Sequence, residues 1–250
     1  MKLYLASHDR DGAPPAFADL TGQGRRVGVI ANANDGLADN QRLSRLADEV
    51  DRLSAIGLVP EELDLRDYFD HTKNLEDHLA HLDAIWAMGG NAFVLRRAMR
   101  YSGLDALLPA LLRDSRLTYG GYSAGAVVAG PTLHGIDLVD DPHEVPAPYQ
   151  SKVIWPGLGL VPYRIAPHFR SQDRQTFQIE HVVDYFVTHD VQYRTLSDGQ
   201  AIVVDGGVER LLDSRSPELV DLAKAHPRDW SIAQLTPEPQ LLLDEHSSTA

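Results

Sequence analysis

The chain contains no cysteine, so disulfides, thiolate metal sites and a cysteine nucleophile are excluded by inventory. Hydrophobic runs are short as well: none approaches the roughly 20 apolar residues that span a bilayer. The apolar stretch within residues 1–9 is too brief for a secretory signal and turns acidic at once, so the expected location is the cytoplasm, with no membrane partner. Positive charge is scarce. Against 36 Asp and Glu stand 23 Lys and Arg, giving a formal net charge of -13 that would repel a phosphate backbone. No cluster of basic residues interleaved with aromatics offsets this, so nucleic acid is not an expected partner.

What remains is an ordinary globular composition, 43% hydrophobic and 24% charged, far from the signature of disorder. At 250 residues the chain can build a self-sufficient core, and one α/β domain over residues 1–250 is the expectation, its last five residues frayed. Monomer and homodimer both fit the sequence.

Short apolar or β-branched runs alternate with longer helical patterns. Residues 2–6, 26–31, 84–88, 117–122 and 163–167 read as buried strands, with a shorter one at 63–65. Residues 39–56 carry Leu43, Leu46, Val50 and Leu53 at helical spacing behind Asp39 or Asn40 as N-cap. Further helices are expected over 75–81, 92–101, 104–112 and 174–187. This alternation predicts an α/β fold, a mainly parallel sheet with helices on both faces. Toward the C-terminus, residues 192–196, 201–204 and 208–212 form short strands parted by Asp-Gly and Gly-Gly turns, an antiparallel end. Residues 241–243 could add a last strand. Between them, the polar, proline-containing residues 131–155 read as a loop or lid over a site.

Gly121-Tyr122-Ser123-Ala124-Gly125 matches G-x-S-x-G where an expected strand meets an expected helix, the setting of a nucleophile elbow. Glycines two residues either side let a tight turn pack against its neighbours. The turn puts Ser123 at a helix N-terminus, where the amide of Ala124 can donate to an oxyanion. A small-residue turn that packs a helix on the sheet would look the same. A second glycine turn, Gly89-Gly90-Asn91, also follows a buried strand and precedes a helix, so both turns fall at the same edge of a parallel sheet. Its amides are candidates for a second oxyanion donor.

A serine nucleophile needs a base, and of the 11 histidines His168 is best placed, at a strand end behind Pro167. His78 and His81 lie near Glu76 and Asp77 at helical spacing, where a solvated helix face competes with a metal site. His134 and His143 fall in the lid segment, and His189 sits beyond a helix end, where capping is the plain reading. A carboxylate must orient the imidazole, and Asp198 follows the strand after the His168 unit. Asp198-Gly199 is equally a hairpin turn signal.

Taken in order, Gly89-Gly90-Asn91-Ala92-Phe93, Gly121-Tyr122-Ser123-Ala124-Gly125-Ala126, Gly157-Leu158-Gly159-Leu160 and Pro167-His168-Phe169 resemble the dipeptidase E (aspartyl dipeptidase) and cyanophycinase family of serine peptidases. The resemblance implies a three-layer α/β/α fold like the class I glutamine amidotransferases. It implies a triad of Ser123, His168 and Asp198, with Gly90 and Ala124 as oxyanion donors and Gly89 and Asn91 beside the substrate. It also implies a short peptide or small acyl substrate, and neither metal nor organic cofactor. The order serine, histidine, acid separates this reading from the α/β-hydrolases, which place the acid second. Aspartyl dipeptidases continue after the histidine with Gly-His-x-Gly-Glu-Thr-Arg, whereas Phe169-Arg170-Ser171-Gln172-Asp173-Arg174 here leads into a helix. Preference for an N-terminal aspartate is therefore not implied, though Arg170 or Arg174 could pair with an acidic substrate group. A non-peptide amidase or esterase, or a catalytically silent ligand-binding domain, would present the same scaffold.

Overall fold

A computed structural model describes residues 1–8, 15–70, 74–171, 176–214 and 216–221. Alternating apolar runs and amphipathic stretches resolve into β1 (Lys2–Ala6), α1 (Pro15–Thr21), β2 (Arg26–Ile30), α2 (Asp39–Ala55), β3 (Val59–Glu62), α3 (Leu75–Leu79) and β4 (Ala84–Ala87). Then follow α4 (Ala92–Tyr101), α5 (Leu104–Arg113), β5 (Thr118–Tyr122) and α6 (Ala124–Val127). The last part holds β6 (Arg164–Ala166), α7 (Thr176–Thr188), β7 (Tyr193–Thr195), β8 (Gln200–Asp205), β9 (Val208–Asp213) and β10 (Ser216–Asp221).

Eight strands form one sheet in the order β10-β9-β8-β1-β5-β4-β2-β3. β1 to β5 run parallel to one another, and β8, β9 and β10 extend the sheet antiparallel beyond β1. Side chains alternate across a strand, and here the alternation divides the core in two. On β1, Leu3 and Leu5 face the layer built by α4, α5 and α7, while Tyr4 and Ala6 face that of α1 and α2. On β4, Ile85 and Ala87 face the first and Trp86 the second. Helices thus cover both faces, as the βα alternation predicts.

Several local expectations give way. No strand forms over 63–65; β3 lies upstream, and Leu65–Tyr68 is a 3₁₀ turn. β3 is an edge strand with Pro60, Glu61 and Glu62, and edges tolerate the proline and charge that disguise a strand in sequence. Helix α2 starts behind Ala38, which is extended and makes no side-chain cap, so Asp39 lies inside the first turn rather than capping it. Its buried face is Arg42, Leu46, Glu49 and Leu53, while Leu43 is 56% exposed. Two charged residues point inward because each has a partner there. Glu49 accepts from the Trp86 indole at 2.8 Å, and Arg42 joins a buried ion cluster. β7 leaves the antiparallel end to pair in parallel with β6 as a separate two-stranded sheet. The strand expected at 241–243 and the fraying at 246–250 lie outside the described residues, as does Arg174.

The segment 131–155 has a single 3₁₀ turn, Ile136–Leu138, and is held from beneath. Arg97, fully buried on α4, donates to the carbonyls of Pro142, Glu144 and Lys152. Among the described residues no helix is long and apolar enough to cross a membrane.

Candidate active site

Strand β5 ends at Tyr122, and Ser123 takes φ +50° and ψ -114° before α6 begins. A non-glycine residue at positive φ carries roughly 1–3 kcal/mol of strain and persists only where its surroundings fix it. Here the Ser123 N–H donates to the carbonyls of Ala6 and Ser7 at 3.1 and 2.9 Å, pinning the turn to the end of β1. Gly125 allows the other half of the contact. A Cβ there would lie 2.1 Å from the Ala87 carbonyl oxygen on β4, so the helix can approach the sheet this closely only with glycine. Tyr119, buried below, donates its hydroxyl to the Gly125 carbonyl at 2.6 Å.

His168 follows β6 at φ +59° and is buried. The parallel β6–β7 ladder pairs Ala166 with Thr195, and beyond it the Phe169 N–H donates to the Leu196 carbonyl at 3.0 Å. That register brings the turn after β7 alongside the histidine. His168 Nδ1 lies 2.9 Å from Asp198 Oδ1, and Nε2 lies 3.0 Å from Ser123 Oγ. A carboxylate only accepts, so Nδ1 carries the proton and Nε2 is left to accept from the hydroxyl. Burial pushes the Asp198 carboxyl up, but hydrogen bonds from His168 and Ser7 outweigh it and hold the group below its ordinary range.

Gly90 has φ +144°, and a Cβ on it would sit 2.4 Å from the Ala33 carbonyl oxygen, so the turn after β4 is closed to other residues. β4 and β5 are neighbours, which sets this turn beside the elbow on one sheet edge. The Ala124 amide belongs to the first turn of α6, where N–H groups lack intrahelical partners. Asn91 lines the cleft onto which these turns open and has a second post. It caps α4 by accepting from the N–H groups of Phe93 and Val94, and its amide donates to Asp141 O and Glu144 Oε2 at 2.9 and 2.7 Å. The expected substrate neighbour therefore fastens the 131–155 segment to the helix.

These residues open on a cleft of about 600 Å³ lined by Ser123, His168, Gly89 and Gly90, with Arg45 and Arg52 from α2 on one wall and Asp140 and Glu144 on another. Asp140 reaches the cleft from the 131–155 segment and accepts from the Ala92 N–H at 2.8 Å. Burial pushes its carboxyl up to about 6, against the pull of that hydrogen bond. The folded pKa exceeds the unfolded one, so the cost of Asp140 to stability is absent below about pH 4, grows between about 4 and 6, and is complete above 6. Asp140→Asn keeps an acceptor for Ala92 without the charge. Its unfolding free energy should exceed that of wild type at pH 8 by on the order of 1 kcal/mol after discounting for partial exposure, with the gap shrinking below pH 6 and closing near pH 4. Calorimetry across this pH range checks this.

Four other histidines, His78, His81, His134 and His189, make contacts of their own. His78 meets Tyr68 and Glu61, so its neighbours are not the acids beside it in sequence. His81 Nδ1 lies 2.8 Å from the Asp77 carbonyl, and His189 Nδ1 lies 2.8 Å from that of Tyr185, at the end of α7. His134 stacks on Trp155 at 4.3 Å. Arg170 lays its guanidinium 5.1 Å from the Phe169 ring centroid. Sequence reasoning passes over Ser7, Asp140 and the α2 arginines, because none lies in a motif.

The profile described as Peptidase family S51 matches residues 12–212. An uncharacterized peptidase of Listeria innocua is 30% identical over 156 residues, 61% of this chain and 68% of that protein. A "Probable alpha-aspartyl dipeptidase" of Drosophila melanogaster is 30% identical over 60% of this chain and 61% of its own length. Peptidase E of Streptomyces coelicolor is 30% identical over 62% and 63% respectively. The chain thus spans a little under two thirds of the latter two. In fold it resembles a "Putative Peptidase E Protein" from Listeria monocytogenes EGD-e, with a TM-score of 0.67 at 24% identity over 85% of this chain and 98% of the other.

Proposed function

The chain belongs to peptidase family S51 and is a peptidase of the serine type, and on that premise we propose that it hydrolyses short peptides through an acyl-enzyme on Ser123. The observation that carries this reading is the continuous hydrogen-bonded line from Asp198 through His168 to Ser123, with legs of 2.9 and 3.0 Å, opening on the cleft. His168 Nε2 takes the hydroxyl proton as Ser123 Oγ attacks the carbonyl carbon. The amides of Gly90 and Ala124 receive the negative charge that develops on the carbonyl oxygen. His168 then passes its proton to the leaving amine, and the acylated serine is released by a water that the same imidazole deprotonates. Asp198, held ionised by its hydrogen bonds, keeps the ring in the needed tautomer and stabilises the imidazolium.

The 131–155 segment favours short substrates, because Arg97 and Asn91 hold it against the cleft. The absent Gly-His-x-Gly-Glu-Thr-Arg stretch leaves preference for an N-terminal aspartate outside the proposal. The cytoplasm is the expected setting. The test is covalent labelling by a fluorophosphonate followed by intact mass and peptide mapping. A single adduct on Ser123, lost in Ser123→Ala, is expected. A wild type that takes up neither this probe nor a small sulfonyl fluoride would overturn the reading.

A further inference from the structure

Ser7 follows β1 directly and is fully buried. It touches all three members of the triad. Its carbonyl accepts the Ser123 N–H at 2.9 Å, its Oγ accepts the His168 N–H at 2.7 Å, and its hydroxyl donates to Asp198 Oδ1 at 2.9 Å. The sheet order explains the convergence. β1 lies between β5, which ends in the elbow, and β8, which starts behind the Asp198 turn. The Ser7 N–H donates to Gln200 O at 3.0 Å and the Gly199 N–H to His8 O at 2.8 Å, so the end of β1 is stitched to that turn as well.

The direction of the hydroxyl proton is fixed by its neighbours. A hydroxyl has one proton, and its oxygen here already receives the His168 N–H, while the carboxylate can only accept. The proton must therefore point at Asp198 Oδ1, the same oxygen that receives His168 Nδ1. The result is a closed ring: His168 main chain to Ser7 hydroxyl, hydroxyl to carboxylate, and carboxylate to the imidazole of the same histidine. Such a ring ties both the backbone and the side chain of His168 to one carboxylate, the backbone through the Ser7 hydroxyl and the imidazole directly, and hydrogen bonds in series polarise one another. It also adds to the pull that keeps Asp198 ionised.

We propose that Ser7 is a positioning residue for this chemistry, its hydroxyl holding the Asp198–His168 pair in register with Ser123. The inference rests on the serine-peptidase reading above. Ser7 does not face the reacting carbonyl; it acts through Asp198 and His168. Ser7→Ala would keep the backbone bond to Ser123 and leave the buried His168 N–H without its acceptor.

The experiment is a double-mutant cycle read by fluorophosphonate inactivation of the full chain, with Ser7→Ala, Asp198→Ala, the double variant and Ser123→Ala. Displacement of reacting groups by an ångström can cost about a hundredfold. Ser7→Ala should therefore slow the limiting rate of inactivation by roughly 10- to 100-fold, with the probe's half-saturating concentration unchanged and near-UV circular dichroism like wild type. In the Asp198→Ala background the same change should cost less than about threefold, because residues acting as a unit are not additive. Rates within about threefold of wild type for Ser7→Ala, or equal losses in both backgrounds, would overturn the inference. So would a Ser7→Ala chain that does not fold, since a positioning role requires a folded and slow enzyme. A wild type that is not labelled, or a Ser123→Ala variant that still is, instead removes the serine-peptidase reading and takes this inference with it.

Discussion

His168→Ala should lower kcat on a short peptide by about 10⁴- to 10⁶-fold, and Asp198→Ala by about 10⁴-fold, with KM little changed. The geometry sets the ranking. His168 Nε2 is the acceptor within reach of the Ser123 hydroxyl, at 3.0 Å, so its loss leaves the nucleophile protonated. Asp198 acts one step back, through Nδ1 at 2.9 Å, and without it the imidazole still reaches Ser123 but can adopt the wrong tautomer. Substrate contacts from the cleft walls are untouched by either change, so the loss should fall on kcat. Combining His168→Ala with Ser123→Ala should cost no more than either alone, because each removes the same step. Pre-steady-state and steady-state kinetics on one peptide would check the ranking. An Asp198→Ala variant as active as wild type would assign the carboxylate to the turn alone.

The elbow works because three strand ends are pulled to one point. β5 supplies Ser123, β4 supplies Gly90, and β1, between β5 and β8, supplies the carbonyls that hold Ser123 at positive φ. The small β6–β7 sheet brings His168 and Asp198 to the same point from a separate layer. Nothing in this arrangement needs a long side chain to reach across open space. Both Ser123 and His168 sit at positive φ, the first held by backbone hydrogen bonds to Ala6 and Ser7 at the end of β1 and the second by its N–H bond to the Ser7 hydroxyl.

Much of this was legible in the sequence because the elbow is written in residues whose reasons are local. Gly121, Ser123 and Gly125 fall within five residues and can be read as one motif, although the need for glycine at 125 itself comes from the Ala87 carbonyl on β4. His168 and Asp198 could be ranked because each ends a short apolar run. What escaped has non-local causes. Ser7 is a serine at the end of a first strand, and its importance arises only when β1 inserts between β5 and β8. β3 carries the polarity of an edge, so its residues do not look like a strand until the sheet order is known. The inward face of α2 holds Arg42 and Glu49, which a hydropathy pattern assigns to solvent. Asn91 lines the cleft, but its bonds to the 131–155 segment depend on a loop fifty residues downstream.

The buried face of α2 leads to the largest expected effect on stability. Arg42, with 6% of its side chain exposed, reaches Asp35 at 2.6 Å, Glu62 at 2.8 Å and Asp64 at 3.4 Å. Asn32 donates to Asp35 and Asp64, Arg66 pairs with Asp64 at 2.6 Å, and the Tyr149 hydroxyl donates to Asp35. Removing one partner of a buried ion pair leaves an uncompensated charge and typically costs about 3–5 kcal/mol. Arg42→Ala exposes Asp35, whose side chain is wholly buried, to that penalty. It should therefore lose about that much in urea unfolding, a large part of the roughly 5–15 kcal/mol that holds a domain together. Acid should test the same cluster from the other side. Burial pushes Asp64 up, yet hydrogen bonds from Arg66 and Asn32 bring it down to about 2. Its folded pKa lies below the unfolded value, so the stability it confers is present above pH 4 and lost as pH falls through about 2. The cluster also bears on the site. Tyr149 ties the end of the 131–155 segment to Asp35, and the same segment carries Asp140 and Glu144 into the cleft. Arg42→Ala should accordingly raise KM at temperatures where the chain is still folded, with kcat less affected, because the wall of the cleft loosens while the β1, β4 and β5 ends that hold Ser123 do not. An Arg42→Ala chain as stable in urea as wild type would mean that Arg66 alone neutralises both aspartates.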